Sequence, residues 1–402
     1  MTTPLTAPAP AAVRAASRAT YAAFIAAGFA FASWASRIPS IKHGLHLSPA
    51  QLGQVLLVLA VGAVISLPLA GPLVGHLGSR RVVTGMALLL AVGLSAMAGG
   101  YLVGAVALAA GGFVLGFANG AWDVAMNVQG ALVERHLGYS IMSRYHAGFS
   151  VGTVAGALLG SAMIAVHVPV TAHLIGVAVL VAATVAWLVR DFLPEVTEAA
   201  HEDAAPIGHF AGWREPRTLF IGLFVLAFAF GEGTGNDWVA VALNDGYDLP
   251  AAVGTLGFAV FLTAMTGGRW IGPALLDRYG RVPVLRALTA VALAGLGLFV
   301  FGHWPVLAFA GALLWGFGVS LGFPVGMSAG ADEPAYAASR VSVISSIGYC
   351  AFLGGPPLVG FLGEHITVLR GLLAVAVLLG IAMLVVGNVR PPQDAPPPIV
   401  EP

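Results

Sequence analysis

The sequence predicts an all-α membrane protein with twelve transmembrane helices in two pseudo-symmetric six-helix halves. The first observation behind this prediction is composition. Of the 402 residues, 58% are hydrophobic and only 9% are charged, and the mean hydropathy is +0.90. Soluble domains carry about 25% charged residues, so this chain has too few charges to cover a surface in water. Its net charge of zero gives no basis for nucleic-acid binding.

Twelve apolar runs separated by polar breaks are the second observation, because a helix needs about 20 apolar residues to cross a bilayer. The first six runs cover 18–38, 49–71, 82–99, 102–128, 145–166 and 170–189. The other six cover 217–243, 253–272, 283–302, 306–329, 341–363 and 366–388. The basic start of the chain also resembles a signal peptide. We expect an uncleaved first span, because its removal would leave the first half one helix short.

The longest polar segment separates the two sets of runs and predicts the domain boundaries. We expect an N-terminal half at 1–190, a cytoplasmic linker at 191–216, a C-terminal half at 217–390 and a disordered tail at 391–402. With the N-terminus in the cytoplasm, 14 Arg residues fall on the inner side and three basic residues on the outer side. Cytoplasmic loops collect positive charge, so both termini are expected in the cytoplasm.

Short motifs that recur near one offset are the third observation. Three pairs show the recurrence: Gly71-Pro72 with Gly272-Pro273, Gly116-Phe117 with Gly316-Phe317, and Ser143-Arg144 with Ser339-Arg340, at offsets of 201, 200 and 196. Each pair falls on the equivalent helix of the two halves. The pattern therefore predicts a duplicated six-helix unit, as many transporter folds contain.

Two loops resemble the signature of the major facilitator superfamily, Gly-x-x-x-Asp-Arg-x-Gly-Arg-Arg after helix two. The second-half copy, LLDRYGR, supplies Asp277, Arg278, Gly280 and Arg281. The first-half copy, GPLVGHLGSRR, keeps Gly71, Gly78 and Arg80, but has Gly75 and His76 at the acidic and first basic positions. The resemblance covers essentially the whole chain. It implies a secondary transporter with two halves rocking about a central site, and gating loops that brace the cytoplasmic side. The missing Asp implies an asymmetric brace, in which the second half or another acid such as Glu134 carries more of the load.

The segments WASRIPSIKHGLHLSPAQLGQVLL and GNDWVAVAL are similar to the sugar-permease-like, proton-linked branch of that superfamily. This similarity implies uptake of a small polar solute with protons across a bacterial inner membrane, by a monomer without cofactor or metal. No enzyme activity is expected. The two G-x-S-x-G matches, at 148–152 and 318–322, lie in apolar helices rather than in the strand-to-helix turn of a nucleophile elbow. The alternative is a proton-driven exporter, but exporters typically carry Gly-Pro-x-x-Gly on helix five, where this chain reads GTVAGALLG.

The stretch GFANGAWDVAMNVQGA contains the main candidate for proton coupling. Asn119, Asp123 and Asn127 are spaced four residues apart, so they follow one stripe of helix four. A charge at the centre of a membrane helix costs about 2.5–3.5 kcal/mol on insertion scales, so Asp123 is expected to face a cavity or a partner. A carboxyl group that binds and releases a proton as the cavity alternates would couple transport to protons, with both Asn as substrate ligands. The alternative is a buried Asp held by the two amides as a packing element.

The seventh span, GEGTGNDWVAV, supplies Glu232 as a second candidate for proton coupling and Asn236 as a candidate substrate ligand. Its three glycines predict a broken helix, which transporters often have at a binding site. Asp237 and Trp238 also fit the outer membrane interface. Arg269, toward the cytoplasmic end of span eight, fits a structural role.

Trp34, Arg37 and Trp122 complete the predicted substrate site. The two indole rings can stack on a sugar ring or pack against neighbouring helices. Arg37, near the outer end of span one, can extend to the interface or pair with Asp123 or Glu232 across the cavity.

Overall fold

The computed structural model describes residues 10–139, 141–194 and 211–391. Twelve of its helices are long and apolar enough to cross a membrane. The first six are α1 (Pro10–Gly44), α2 (Pro49–Leu77), α3 (Ser79–Val103), α4 (Ala105–Leu137), α5 (Arg144–Ala165) and α6 (Val170–Asp191). The second six are α7 (Pro216–Gly246), α8 (Ala251–Tyr279), α9 (Arg281–Phe301), α10 (Pro305–Gly330), α11 (Ser339–Ile366) and α12 (Val368–Val389). Each helix overlaps one predicted run, so the predicted fold class is confirmed.

The chain divides into two compact units. The first contains Met1–Ala199 and Leu249–Ala259, and the second contains Ala200–Asp248 and Val260–Pro402. The start of α8 therefore groups with the first unit, where the Thr255 hydroxyl donates to the Ser36 carbonyl at 3.1 Å. Much of the predicted linker, 195–210, and of the predicted tail, 392–402, lies outside the described residues. The exact half boundaries stay a prediction.

Glycines let paired helices approach at backbone distance in both units. A Cβ on Gly116 of α4 would overlap the carbonyl oxygen of Leu59 in α2. In the second unit, a Cβ on Gly316 of α10 would overlap the carbonyl oxygen of Phe261 in α8. Close packing of membrane helices depends on such small residues. The recurring Gly-Phe motif of the sequence thus marks the same helix crossing in each unit.

A second contact on this crossing recurs with its two residues exchanged. In the first unit, Gly120 of α4 faces the hydroxyl of Ser66 in α2, whereas in the second unit Gly268 of α8 faces the hydroxyl of Ser320 in α10. Each hydroxyl donates to a carbonyl three residues earlier in its own chain segment, at 2.7 Å. Each crossing therefore needs one glycine opposite one serine, and either helix of the pair can carry the glycine.

Several predicted helix ends fall short of the observed ones. Gly71-Pro72 and Gly272-Pro273 do not end their helices, because α2 continues to Leu77 and α8 to Tyr279. Membrane helices tolerate an internal proline when neighbouring groups satisfy the freed backbone. Helix α4 likewise continues beyond 128 to Leu137. The predicted spans end where the apolar run ends. The helices continue further, because their backbone hydrogen bonds do not depend on apolar side chains.

Helix α7 is continuous from Pro216 to Gly246, so the predicted break at its glycines is wrong. A Cβ on Gly235 would overlap the ring of Phe261, and one on Gly231 would lie 3.2 Å from a methyl group of Val319. The glycines make room for neighbouring side chains. Their cost relative to alanine, about 1 kcal/mol each in a helix, is offset by this closer packing.

We expect Gly116→Ala to lower the free energy of unfolding by about 1–3 kcal/mol, the usual cost of overpacking, because its new methyl group meets rigid backbone in α2. Gly85→Ala in α3 is the matched control, since a Cβ there has no neighbour within 4 Å. The control should match or exceed wild-type stability through better helix propensity. Equilibrium unfolding in mixed detergent micelles measures both variants. Equal destabilisation of the two would contradict this account of the crossing.

Candidate functional site

Asp123 lies near the middle of α4, a helix of 33 residues, and its side chain is half-buried. Asn127 donates its side-chain amide to the Asp123 backbone carbonyl at 2.8 Å and to the carboxylate Oδ1 at 3.3 Å. The structure thus shows one of the two amide contacts that the packing alternative predicted, and the roles of Asp123 and Asn127 in transport stay predictions. Within 10–139, 141–194 and 211–391, no Arg, Lys or His side chain forms an ion pair with Asp123.

Asn119 and Trp34 share a small internal cavity in the first unit. The cavity has a volume of about 40 Å³ and is lined by Phe31, Trp34, Leu59, Ala63, Leu90, Leu115, Gly116 and Asn119. By volume it holds roughly two or three water molecules, and a sugar is much larger. The structure therefore brings together two predicted substrate ligands, one aromatic and one amide, in a space smaller than the expected solute.

Trp122 of the predicted site and Trp238 of the seventh span are fully buried. Trp122 and Trp238 are both 0% exposed, so neither ring is accessible to a solute in this conformation. Helix α7 continues beyond Trp238 to Gly246, and the placement of Trp238 at the outer interface stays a prediction. Both indole N–H groups, and the Oδ1 atom of Asn236, are buried without a hydrogen-bond partner among the described residues.

Glu232 forms an ion pair with Arg269 inside the second unit. One Arg269 nitrogen donates to both Glu232 carboxylate oxygens, at 2.8 and 2.9 Å, and its Nε donates to the Ser320 carbonyl at 3.3 Å. Arg269 lies well within α8, so it is not the cytoplasmic-end residue that the predicted span suggested. The sequence signal for this pair was available: two opposite charges stood in successive apolar spans, and intramembrane charges usually pair.

Within the described residues of the first unit, Arg37 forms no ion pair with Asp123, and its alternative pairing with Glu232 stays a prediction. Its Nε donates to Nδ1 of His173 in α6 at 2.7 Å, and the two residues are only 2% and 5% exposed. Arg37 occupies the turn that separates the two helical parts of α1, Pro10–Ala35 and Ile38–Gly44. The burial of Arg37 also excludes extension of its side chain to the interface in this conformation. His173 has no motif around it and was missed.

The two predicted gating loops share one backbone conformation. Gly78 and Gly280 both have φ of +78°, a region that only glycine adopts at no cost. Their N–H groups donate to the carbonyls of Val74 and Leu276, both at 2.8 Å, which ends α2 and α8. The glycines of the family signature therefore turn the chain identically in the two units. Gly71 lies within α2, and Arg80 is exposed.

Asp332 is the centre of charge pairing at the predicted cytoplasmic end of the second unit. Arg281, the first residue of α9, donates to Asp332 at 2.7 Å, and Arg217 of α7 donates to it at 2.8 Å. The Asp332 side chain is 8% exposed. Asp277 and Arg278 are exposed in the last turn of α8. The acid that pairs with basic residues here is thus Asp332, just after the end of α10, and the gating role of the signature residue Asp277 stays a prediction.

Glu134, the acid proposed to support the first-half loop, accepts hydrogen bonds from two backbone N–H groups. Its Oε2 accepts the N–H groups of Ile141 and Met142 at 2.7 and 2.8 Å. A carboxylate on free N–H groups at the start of a helix is stabilised by the helix dipole. Glu134 therefore holds the connection from α4 to α5 through these two backbone contacts.

A second ion cluster joins α7 and α11. Arg340 donates to Glu215 at 2.6 Å and to Glu333 at 2.9 Å, and the Thr218 hydroxyl also donates to Glu215 at 2.8 Å. Partial burial raises the pKa of Glu215, but the hydrogen bonds from Arg340 and Thr218 and the charges of Arg340 and Arg217 outweigh it. The net effect lowers the pKa below its usual value of 4.5.

A larger pocket of about 310 Å³ opens at the other end of the second unit. It is lined by Gly246, Tyr247, Asp248, Val300, Gly302, His303, Pro305 and Leu369. None of these residues belongs to the predicted site. The Tyr247 hydroxyl donates to the Phe299 and Gly302 carbonyls beside it, so this residue holds the end of α9.

The Major Facilitator Superfamily model matches residues 20–350, and the chain belongs to this superfamily. Over 356 residues it is 33% identical to an uncharacterized transporter, y4wD, of Sinorhizobium fredii, with 87% of this chain and 92% of that protein covered. The predictions of a bacterial-type membrane transporter, and of a protein that is not an enzyme, are confirmed at this level.

Solved structures share the fold at low sequence identity. The nucleoside transporter NupG has a TM-score of 0.74 at 16% identity, with 92% of this chain and 98% of that chain covered. The fucose:proton symporter FucP of E. coli has a TM-score of 0.62 at 16% identity, with the same coverage of the two chains. A sequence identity of 16% to these structures shows that the fold is shared and no more.

We expect the Glu232–Arg269 pair to show a coupling energy of about 1–3 kcal/mol in a double-mutant cycle. Either Glu232→Gln or Arg269→Gln alone leaves an uncompensated charge in the membrane, which is more costly than losing the whole pair. The double variant should therefore be more stable than the sum of the single effects predicts. Arg286→Gln, at an exposed position in α9, is the control for loss of a positive charge. Additive effects in equilibrium unfolding would show that the pair is not coupled.

The second unit should lose stability in acid through Glu215. Its folded-state pKa lies below its usual value of 4.5, so its contribution is present above that pH and is lost as the pH falls through the folded-state pKa. Glu215→Gln should flatten this part of the curve of unfolding temperature against pH. The exposed Glu364→Gln, at the opposite end of α11, should retain the wild-type curve. An unchanged slope in Glu215→Gln would contradict the role of the cluster.

Proposed function

We propose that this member of the major facilitator superfamily carries a small polar solute into the cell together with protons, and that Asp123 is the proton-binding group. The observation that carries the proposal is the environment of the Asp123 carboxylate. It lies in the middle of a membrane-spanning helix, half-buried, with the Asn127 amide as its hydrogen-bond donor. A carboxyl group without a cation beside it can exist in either protonation state.

The comparison with Glu232 favours Asp123 for this role. Arg269 binds both oxygens of Glu232 through one nitrogen, so each side chain compensates the charge of the other within the membrane. Protonation of Glu232 would leave Arg269 as an uncompensated charge in the membrane. Protonation of Asp123 removes a charge from an apolar region instead. We therefore assign proton exchange to Asp123 and a charge-neutral, structural or substrate-orienting role to Glu232 with Arg269.

The solute class follows from the polar groups near the candidate site. Asn119 and Asn127 flank Asp123 on one stripe of α4, and amides can both donate and accept hydrogen bonds. Trp34 lines the cavity beside Asn119, and aromatic rings pack against the apolar faces of sugars and bases. These groups suit a hydroxyl-rich or nucleoside-like solute. NupG and FucP, which share the fold, are a nucleoside transporter and a fucose:proton symporter.

We further propose a bacterial inner-membrane location, both termini in the cytoplasm and a monomeric transport unit. The excess of Arg on one side of the predicted spans supports this orientation. Uptake, rather than export, agrees with a fifth span that reads GTVAGALLG and lacks the exporter proline.

The decisive experiment compares wild type with Asp123→Asn in proteoliposomes, using fucose, other neutral sugars and nucleosides as probes. With one proton per solute, a gradient of one pH unit supports up to about tenfold accumulation. Asn resembles the protonated acid in shape but cannot ionise. The variant should therefore lose accumulation driven by the pH gradient and retain solute exchange at equal pH on both sides.

Asp191→Asn, an exposed carboxyl of the first unit, is the matched control and should accumulate solute like wild type. Accumulation by Asp123→Asn at the wild-type level would rule out Asp123 as the coupling group. Transport of a probe only in the direction opposite to proton flow would instead support the exporter alternative.

A further inference from the structure

The first unit contains a buried cation for which the described residues supply no carboxylate. Arg37 is 2% exposed, and its Nε contacts a second basic residue, His173, which is 5% exposed. Within the described ranges no Asp or Glu carboxylate forms an ion pair with either side chain. Three helices meet here, because α1 carries Arg37, α6 carries His173 and a Cβ on Gly160 of α5 would lie 3.8 Å from the imidazole ring.

The hydrogen bond between the two residues fixes the protonation of His173. A guanidinium Nε can only donate, so Nδ1 of His173 must accept, at 2.7 Å. An imidazole that accepts at Nδ1 is neutral and carries its proton on Nε2. The pair therefore carries one positive charge, on Arg37.

Each member of the pair retains an N–H group with no acceptor. Nη2 of Arg37 and Nε2 of His173 are both buried, and the described residues provide no hydrogen-bond partner for either. The guanidinium is planar, so Nη2 lies in one plane with the Nε that contacts His173. The pair therefore presents only hydrogen-bond donors, because its one acceptor, Nδ1 of His173, is already bonded to Arg37.

Two physical requirements remain unmet by the protein itself. A buried charge needs a counter-charge, since Arg does not lose its proton in proteins. A buried N–H needs an acceptor. Water would supply only the acceptor. An anion supplies both, and a site made of donors alone rejects cations.

We infer that Arg37 and His173 form a binding site for a small monovalent anion, either a halide or a carboxylate group. The anion can come from two sources. It can be a free ion that stays with the protein, or it can be part of the transported solute. Only the second source rests on the proposed transport function.

The test measures the unfolding temperature of the purified full-length protein in detergent, with chloride or formate exchanged for gluconate at constant ionic strength and pH. Specific binding to the folded state should raise the wild-type midpoint by about 2 °C for each tenfold increase of anion above its Kd. Arg37→Met should show no such rise. It should remain folded in gluconate, because it removes the unpaired charge along with the site.

Two further variants keep the result interpretable. Arg370→Gln, which removes an exposed Arg, should respond to anions like wild type. His173→Gln is a second disruption of the site that leaves Arg37 intact, and it should weaken anion binding at least tenfold. Equal midpoints for wild type in chloride, formate and gluconate would overturn the inference, as would an anion response that survives in both Arg37→Met and His173→Gln.

A series of chloride, formate, acetate and lactate then separates the two sources. Stabilisation by chloride and formate alone indicates a closed site with a free ion. Stabilisation that persists through lactate indicates a site open to the carboxylate of a solute. Asp123→Asn should retain the anion response in either case. The unfolding measurements therefore test the anion site independently of the transport measurements, which test proton coupling.

Discussion

The scarcity of water inside a membrane protein is the constraint on which the rest of this structure depends, because each buried charge must be compensated by the protein or by a ligand. The chain meets it in three ways. Glu232 and Arg269 neutralise each other within the second unit. Asp123 has an amide partner and can become neutral by binding a proton. Arg37 can do neither, since its contact is a neutral imidazole. The two proposals of proton exchange and anion binding follow from the second and third cases.

The duplicated scaffold shows which features packing requires and which it leaves free to change. The glycine contacts of Gly116 and Gly316 are equivalent, because backbone-to-backbone approach tolerates no side chain. The next contact exchanges its serine and glycine between the paired helices without loss of fit. Charges follow no such rule: Phe323 occupies the position equivalent to Asp123. Packing therefore does not require a charge at the position of Asp123, where a charge is costly, and this favours a functional role for Asp123.

The sequence predicted the twelve helices because length and hydropathy are properties of single segments, and it predicted the Asp123–Asn127 contact because four-residue spacing is local to one helix. It did not predict the partners of Glu232 and Arg37. Those contacts depend on how α7 turns toward α8, and on how α1 turns toward α6, which no single segment encodes. The error at α7 has the same origin: glycines there predicted a break, whereas Phe261 from another helix fills the space beside Gly235. Tertiary packing, rather than local propensity, decided each of these cases.

The charge distribution also explains why the two units need not contribute equally to transport. The Glu232–Arg269 pair keeps zero net charge, so it can persist through a conformational change without a change in protonation. The net charge at Asp123 changes by one whenever a proton binds or leaves. A conformational equilibrium responds only to a ligand that binds its states with different affinity, and a carboxyl group whose exposure to water changes meets that condition for protons. If Asp123 exchanges protons as we propose, the first unit responds to the proton gradient, and the second unit contains a charge pair whose net charge stays zero.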